Sequence, residues 1–588
     1  MSTVTHSPFP AYMHPPALDP AVIDCLQPQL QHKHLLVLGG GIMQLPLINI
    51  AQVLGIKVTV VDGSLTAPGA AVADAFLHVD LKDAEAIANT AAAAGTIFHG
   101  VCTVGTDFST SVAHAARRLG LPGLPAATAE NARYKDCMRS ALQKAGLPTP
   151  EFMVVEAAQA DDGADPAAGW RIFPAVVKPV DNMGARGVQI VRTTGELHHA
   201  LGNARANSHS GRCIIEGFIP GPEYSIDAVW MQGRLVEFGI AARHIFFDPF
   251  RVELGHSFPA GIDDKRRQQL MQGLEDASRA LGITWGAIKG DVFWDGSRAV
   301  VGELAARLSG GFMSGWSYPL HSGISAIVPM ICSCVGLELT PAVQRLLAKP
   351  RWSRPVAERA CIVPPGVVRH VSGIEQAATV PGVAHIWLAA RPGSAVSSLC
   401  DNLGKCANVI AVDDNCMHIH TSSDAPADRN VAHEAETASP AGAAATAARE
   451  AVELLQIELE PGNPDTVAFL LEPEPQAPLL FQLPQYRECQ LDDFSGISMP
   501  LPLYAQDLAA DAGLDWLGRR VHDHVQVLQQ RGLVVLHRET EPCRCGDASR
   551  IALLRSLSRG GVRGVLALVE SFQQVLENAD RSKSEDRK

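Results

Sequence analysis

A chain of 588 residues, 47% of them hydrophobic, can bury several cores, and division by an ordinary domain size gives roughly four lobes. Its formal charge of −13 excludes a general grip on nucleic acid, which needs clustered Lys and Arg to displace counterions, but leaves room for one basic pocket around a nucleotide. No apolar run approaches a membrane span, and residues 1–33 read as a flexible arm without the features of a signal peptide, so a cytoplasmic protein is expected.

Residues 34–63, HLLVLGGGIMQLPLINIAQVLGIKVTVVDG, predict strand, tight glycine turn, helix and strand, with Leu35–Leu38 and Lys57–Val61 as buried parallel strands. GVCTVGTD (100–107) predicts another strand, followed by a helix with Val112, Ala115, Ala116 and Leu119 on one face. This alternation predicts a small doubly wound sheet over 34–125. Gly39, Gly40, Gly41 and Asp62 form part of a dinucleotide fingerprint, but Gln44 fills the third glycine position. The NAD reading is therefore the outsider.

From 126 to 345 the pattern changes. Lys135 opens a helix that Gly146 and Pro148 end. AVVKPVDNMGARGVQIV (175–191) predicts a hairpin with Lys178 before a loop of Gly184, Ala185 and Gly187, whose relaxed backbone can turn N–H groups toward phosphate oxygens. CIIEGFIPGPEYSID (213–227) predicts a strand running into Glu216, a Pro-Gly turn and a second strand opened by Glu223. After a helix over 265–281 comes KGDVFWDGSRAVVGELAAR, a hairpin with Asp291 on one strand and Glu303 on the other. With a loop from Asp295 to Ala299 the two acids face each other. Like charges in that position repel unless a cation lies between them, and paired carboxylates are the hard oxygen ligands Mg²⁺ takes. Arg307 follows four residues on. Taken singly, each feature has an ordinary structural reading.

Residues 346–460 are strand-rich, with GVVRHVSG and VIAVDDN, then a polar linker near 422–438 and an Ala-rich helix in SPAGAAATAAREAVELL. Beyond 461, Pro-rich turns precede helices around 514–530 and 548–577 and a charged tail that reads as disordered. Thirteen scattered cysteines read as reduced thiols, and Cys543 and Cys545 of CRCG have no second pair at zinc spacing.

In this order the two lysines, the glycine loop, the hinge and the paired-acid hairpin resemble the ATP-grasp superfamily, in its carboxylate–amine ligase branch. EGFIPGPEYSID and GELAARLSGG are the most specific pieces, while GGG and TVGTD are similar to the pre-grasp domain. The likeness loosens over 346–460 and ends at 461. It implies an α/β chain: a doubly wound pre-ATP-grasp domain (34–125), a two-lobed α+β ATP-grasp domain (126–345), a β-rich C-terminal lobe (346–460) and an additional α-rich segment (461–588) without an assigned role.

The resemblance also implies roles. Lys135 and Lys178 would hold ATP phosphates under a loop of Gly184, Ala185 and Gly187. Glu216, Phe218 and Ile219 would belong to the adenine hinge, and Glu223 would bind ribose. Asp291 and Glu303 would hold Mg²⁺ (or Mn²⁺), and Arg307 would steady the transferred phosphoryl group with Lys178. Glu253, His256, Ser309, Gly310 and Gly311 would lie toward the small-molecule carboxylate and amine, and a homodimer is compatible with the family. The family often has Asn where this chain has Ala305, which puts a second metal ion in doubt. The implied reaction is carboxylate activation as an acylphosphate, then amide formation. A bicarbonate-activating, carbamoyl-phosphate-synthetase-like enzyme and a non-catalytic ATP-binding module are the alternatives.

Overall fold

A computed structural model describes residues 16–157, 167–246, 249–363, 365–397, 400–416, 418–419 and 442–460. The expectations for the linker near 422–438, for CRCG and for everything beyond 461 lie outside the described residues. One correction concerns the flexible arm. Its second half forms the helix Pro20–Leu30, capped by Asp19, because Val22, Leu26 and Leu30 recur every four residues and bury one face in the core.

Four parallel strands, β1 (His34–Leu38), β2 (Lys57–Asp62), β3 (Ala75–His78) and β4 (Gly100–Cys102), form a sheet in the order β3-β2-β1-β4. The glycine turn after β1 draws Asp62 inward: Gly40 N–H donates to one carboxylate oxygen at 2.7 Å and Ser64 N–H to the other at 2.8 Å. Both oxygens of the acid that sequence spacing offered to a ribose are thereby engaged by backbone.

A second sheet holds β5 (Phe152–Val155), β6 (Ala175–Pro179), β7 (Gln189–Val191) and β8 (Cys213–Gly217) in the order β5-β8-β6-β7. The helix Thr194–Ala206 covers it with Leu197, Ala200, Leu201 and Ala204, a helical stripe. The third sheet is the largest. It contains β9 (Glu223–Met231), β10 (Arg234–Phe246), β11 (Val252–Phe258), β12 (Gly286–Trp294) and β13 (Ala299–Ala305), ordered β13-β12-β9-β10-β11. The sheet then continues without a break into Val356–Cys361, Ala407–Val412 and Val383–Leu388. The strand-rich part beyond 346 thus extends this sheet, and the helix Gly442–Leu454 packs its Ala445, Ala448 and Val452 face on the added strands.

The β12–β13 hairpin reaches the expected register by an unexpected route. Trp294 pairs with Ala299, so the loop is Asp295–Arg298, tied by Asp295 accepting from the N–H groups of Ser297 and Arg298. A bulge then leaves Gly302 unpaired and shifts the ladder by one, which sets Asp291 opposite Glu303.

The Pro-Gly turn between β8 and β9 is equally constrained. Gly221 has φ +97°, and a Cβ there would lie 2.0 Å from the Trp294 carbonyl oxygen. Gly221→Ala is expected to lower unfolding free energy by about 2–4 kcal/mol, the sum of backbone strain and overpacking. A denaturant midpoint equal to wild type would contradict the close approach.

Candidate functional site

Strand β6 alternates, with Ala175, Val177 and Pro179 in the core and Lys178 turned to the other face. There Lys178 Nζ donates to Glu216 Oε2 at 2.8 Å, from the neighbouring strand β8. Arg139 grips the same carboxylate, Nε to Oε1 at 2.8 Å and an Nη to Oε2 at 3.1 Å. Its remaining N–H groups reach the carbonyls of Val301 (2.8 Å) and Gly302 (2.7 Å) in β13. One buried acid therefore fastens the small sheet, a helix and the acid-bearing hairpin together. Burial would raise the Glu216 carboxyl, but Arg139 and Lys178 outweigh it and bring it down to about 2.

The helix Lys135–Lys144 carries Arg139 one turn beyond Lys135, so both lie on the same helix face, Arg139 fully buried. Lys135 Nζ donates to the Asn182 carbonyl beside the glycine loop (2.7 Å) and pairs with Glu303 at 3.0 Å. In that loop Gly184, Ala185 and Gly187 all have positive φ, and a Cβ on Gly187 would meet Asn207 at 2.8 Å. The Asn402 backbone N–H donates to the Gly184 carbonyl at 3.1 Å, while the Asn402 side chain accepts from Glu253 N–H at 2.9 Å.

The facing acids are not left to repel each other. Asp291 is paired with Lys289 and, at 2.9 Å, with Arg243. Arg243 also holds Glu253 at 2.8 Å and, together with Arg251, holds Glu223. Partial burial would raise Glu303, but Lys135 and Lys289 outweigh it and keep it below the usual carboxylate range. The repulsion argument for a metal thus loses its force, because the chain's own cations answer it. What fits a hard cation is narrower: two carboxylates on one face of a hairpin, with Asp291 Oδ1 buried and lacking a hydrogen-bond partner among the described residues. Among the described residues no group of three or more His, Cys, Asp or Glu is arranged around a common point. Lys289 stands directly opposite Ala305 in the ladder, an ammonium across from the residue that replaces Asn.

Two of the residues expected near substrate are corrected. His256 is fully buried in β11, with Nε2 2.7 Å from Ser317 Oγ and Nδ1 3.4 Å from Glu358, so it is a framework residue. Ser309 has both donors engaged by Asp227: its N–H at 3.0 Å and its hydroxyl at 2.7 Å. It cannot offer them to a substrate carboxylate. Burial pushes Asp227 up to about 7 despite those bonds. Glu253 is buried against Arg243, and Gly310 abuts the Gly105 backbone. Gly311 turns with φ +58°. Arg307 is half-exposed, with an Nη on the Leu308 carbonyl at 3.1 Å. In the hinge, Gly217 N–H donates to Glu151 (2.9 Å) and Phe218 N–H to Pro174 (3.0 Å), and Arg251 lies 5.9 Å from the Phe218 ring centroid.

Sequence reasoning missed Arg139, Arg243, Lys289, Asp227 and Asn402. Arg139 had a signal, its i+4 spacing from Lys135, and Lys289 lies two residues before Asp291 on the same strand face. The others come from distant segments.

Glu216→Gln would leave Arg139 and Lys178 without their shared counter-charge, and a loss of about 3–5 kcal/mol is expected in urea unfolding. Because the folded carboxyl is depressed to about 2, its contribution is complete above the unfolded value of 4.5 and is lost as pH falls from there toward 2. Wild type should therefore lose stability more steeply than Glu216→Gln across that window; parallel curves would refute the network.

Residues 171–315 match the family model of the ATP-grasp domain, 48–123 that of the ATP-grasp N-terminal domain, and 359–425 that of the L-amino acid ligase C-terminal domain 2. Over 337 residues the chain is 28% identical to an uncharacterised protein of Sinorhizobium fredii, covering 56% of this chain and 67% of that protein. It is 24% identical over 332 residues to carnosine synthase 1 of Gallus gallus, covering 52% of this chain but only 36% of the synthase. The chain thus spans about two thirds of one curated relative and little over a third of the other. The crystal structure of an L-amino acid ligase from Bacillus licheniformis superposes with a TM-score of 0.60 at 24% identity, over 73% of this chain and 99% of that one. At that identity the likeness is one of fold.

Proposed function

The chain is a member of the ATP-grasp superfamily, and from that premise we propose that it is an ATP-dependent ligase joining a carboxylate to an amine, of the amino-acid or peptide type. The reading rests above all on the ion pairs that hold Lys135 to Glu303, Lys178 to Glu216 and Asp291 to Arg243 and Lys289 around the hairpin that Arg307 follows. An L-amino acid ligase C-terminal domain in the same chain supports the choice of substrate class.

In this reading Lys135 and Lys178 hold the ATP phosphates under Gly184, Ala185 and Gly187. Backbone of the Glu216–Ile219 hinge takes adenine. Since the N–H groups of Gly217 and Phe218 are engaged elsewhere, that task falls to Ile219 and to carbonyls. Glu223, already pinned by two arginines, is oriented to receive the ribose. Asp291 and Glu303 would hold Mg²⁺, which when bound supplies neutralising charge to the polyphosphate. Arg307 would turn its guanidinium on the transferred phosphoryl group. The substrate carboxylate takes that group and ADP departs; the amine then attacks the acyl carbon and phosphate leaves. The protein contributes positioning and charge, which phosphoryl transfer chiefly needs. Lys289 opposite Ala305 supports one firmly held metal ion, the second being replaced by an ammonium.

Lys178→Ala and Glu303→Ala are each expected to cut ADP release by about 100-fold or more while the protein stays folded. The assay is an ADP-release screen over paired amino acids with mass detection of products. Either variant at full activity would overturn the site, bicarbonate-stimulated hydrolysis without an amine would favour the bicarbonate enzyme, and ATP binding without turnover would favour the non-catalytic module. Asn402→Ala removes the acceptor that ties the loop contact to β11. It should raise the KM for ATP about three- to tenfold, the worth of one hydrogen bond, with kcat less affected.

A further inference from the structure

The peptide between Leu308 and Ser309 is held at both ends. Its carbonyl accepts from Gly105 N–H at 3.1 Å, at the seam where Leu308 makes a parallel bridge with Val104. Its N–H donates to the Asp227 carboxylate, 3.0 Å from Oδ1 and 3.3 Å from Oδ2. The Ser309 hydroxyl adds a bond to the same carboxylate, 2.7 Å to Oδ2, and the Ser309 carbonyl accepts from Ser314 Oγ at 2.6 Å. A peptide unit is rigid, so fixing its two ends fixes its plane. Arg307 leans on that plane directly, because an Nη of its guanidinium donates to the Leu308 carbonyl at 3.1 Å.

Asp227 is a costly anchor for a serine. It is fully buried in β9, opposite Lys289 of β12 and Gly239 of β10. Residues paired across strands share a face, so the carboxylate stands on the face that also bears Asp291, two residues beyond Lys289. Tyr318 closes it off: a Cβ on Gly239 would lie 2.0 Å from the Tyr318 ring, and the Tyr318 hydroxyl donates to the Ser225 carbonyl at 2.9 Å. Burying an anion there is unfavourable, yet the position calls for one. Ser309 presents two donors to two different oxygens, and an amide of the same shape would turn its own N–H groups against one of them.

The chain just beyond needs this hold. Gly311 (φ +58°) and Phe312 (φ +66°) are consecutive left-handed residues, and the Phe312 side chain disfavours that region. Such a turn persists only where its surroundings over-determine it. Asp227 grips the residue before the turn, and Ser314 ties across it.

We propose that Asp227 is a positioning residue for phosphoryl transfer: by gripping the N–H and hydroxyl of Ser309 it sets the Leu308–Ser309 peptide, and through that peptide the guanidinium of Arg307. The assignment rests on the ligase reading, in which Arg307 meets the transferred phosphoryl group, and it adds to that reading a residue that touches no substrate. Without the grip the peptide can rotate and Arg307 loses its alignment. Lys135 and Lys178, paired with Glu303 and Glu216, keep theirs.

The test is a double-mutant cycle on the full-length chain, using the pair of common amino acids that gives the most ADP with wild type. Asp227→Asn should lower kcat about tenfold or more, as small misplacements of a reacting-site group do, and leave the KM for ATP within about twofold. In an Arg307→Ala background the rate is read as single-turnover release of labelled phosphate, so that slow variants stay measurable. There Asp227→Asn should change the rate by less than about twofold, because the side chain it positions is gone. Ser309→Ala removes the 2.7 Å bond alone. It should cost kcat about three- to tenfold, the worth of one hydrogen bond, again only while Arg307 is present. It carries the comparison where Asp227→Asn does not fold. Full kcat in folded Asp227→Asn, or in Ser309→Ala in its place, overturns the assignment. So does the same loss with and without Arg307, since that is a structural defect. Either result beside a wild type that makes amide leaves the ligase reading standing. A wild type that turns over no ATP with any amino-acid pair brings down that reading and this assignment with it.

Discussion

A single buried carboxylate sets the geometry on which the cleft depends. Glu216 lies between a lysine of its own sheet and an arginine that also grips the backbone of the opposite hairpin. Stripped of both cations it would sit in the core as an uncompensated charge, a far worse state than the triad. The two lobes are thus joined by a contact that cannot slide by an ångström without unpairing a charge. Because Arg139 is one helical turn from Lys135, the same contact fixes where that lysine stands relative to Glu303 and the glycine loop.

The same economy of charge governs the far side of the cleft. Arg243 answers Glu223, Glu253 and Asp291 at once, and Lys289 adds a second cation to Asp291. Burial would raise Glu253, but Arg243 outweighs it and brings it down to about 2, whereas for Glu223 burial prevails and pushes the carboxyl up. In the proposed reading, a nucleotide entering here would exchange partners with existing ion pairs, so specificity would derive from how well it replaces them rather than from an open electrostatic well.

How much of this was legible in the sequence follows from the range of each interaction. The strand alternation around Lys178, the glycines of its loop and the end of the Lys135 helix are local, and the fold reproduces them. The Asp291–Glu303 pairing came out as expected although the loop is one residue shorter, because the Gly302 bulge restored the register; no turn rule predicts that compensation. For His256 the resemblance implied a loop near an acceptor, while the residue alone read more readily as a structural histidine, and the fold bears out the latter. It is buried because β11 is flanked on both edges by other strands, one of them supplied by residues 356–361. Ser309 was misread for a similar reason: its partner Asp227 lies 82 residues earlier, and nothing in LSGG announces it. Arg243 and Asn402 gave no local sign at all.

Those long-range partners explain why the strands beyond residue 346 belong to the cleft rather than beside it. By adding to the edge of β11 they bring Asn402 to the glycine loop, so the loop's carbonyl and the β11 backbone share one residue from the last part of the described chain. The pre-grasp sheet is brought in from the other side by the Val104–Leu308 bridge, at the first turn after the acid-bearing hairpin. The strands beyond 346 and the N-terminal sheet are thus anchored by backbone pairing, and the small sheet by the Glu216 charge network. Backbone pairing fixes distance but is indifferent to side-chain identity, whereas the charges fix identity. In the proposed reading, a chain built this way can vary the loop residues at the seam while the framework of Glu216, Arg139 and Lys178 stays constant, because those three are locked together by buried ion pairs.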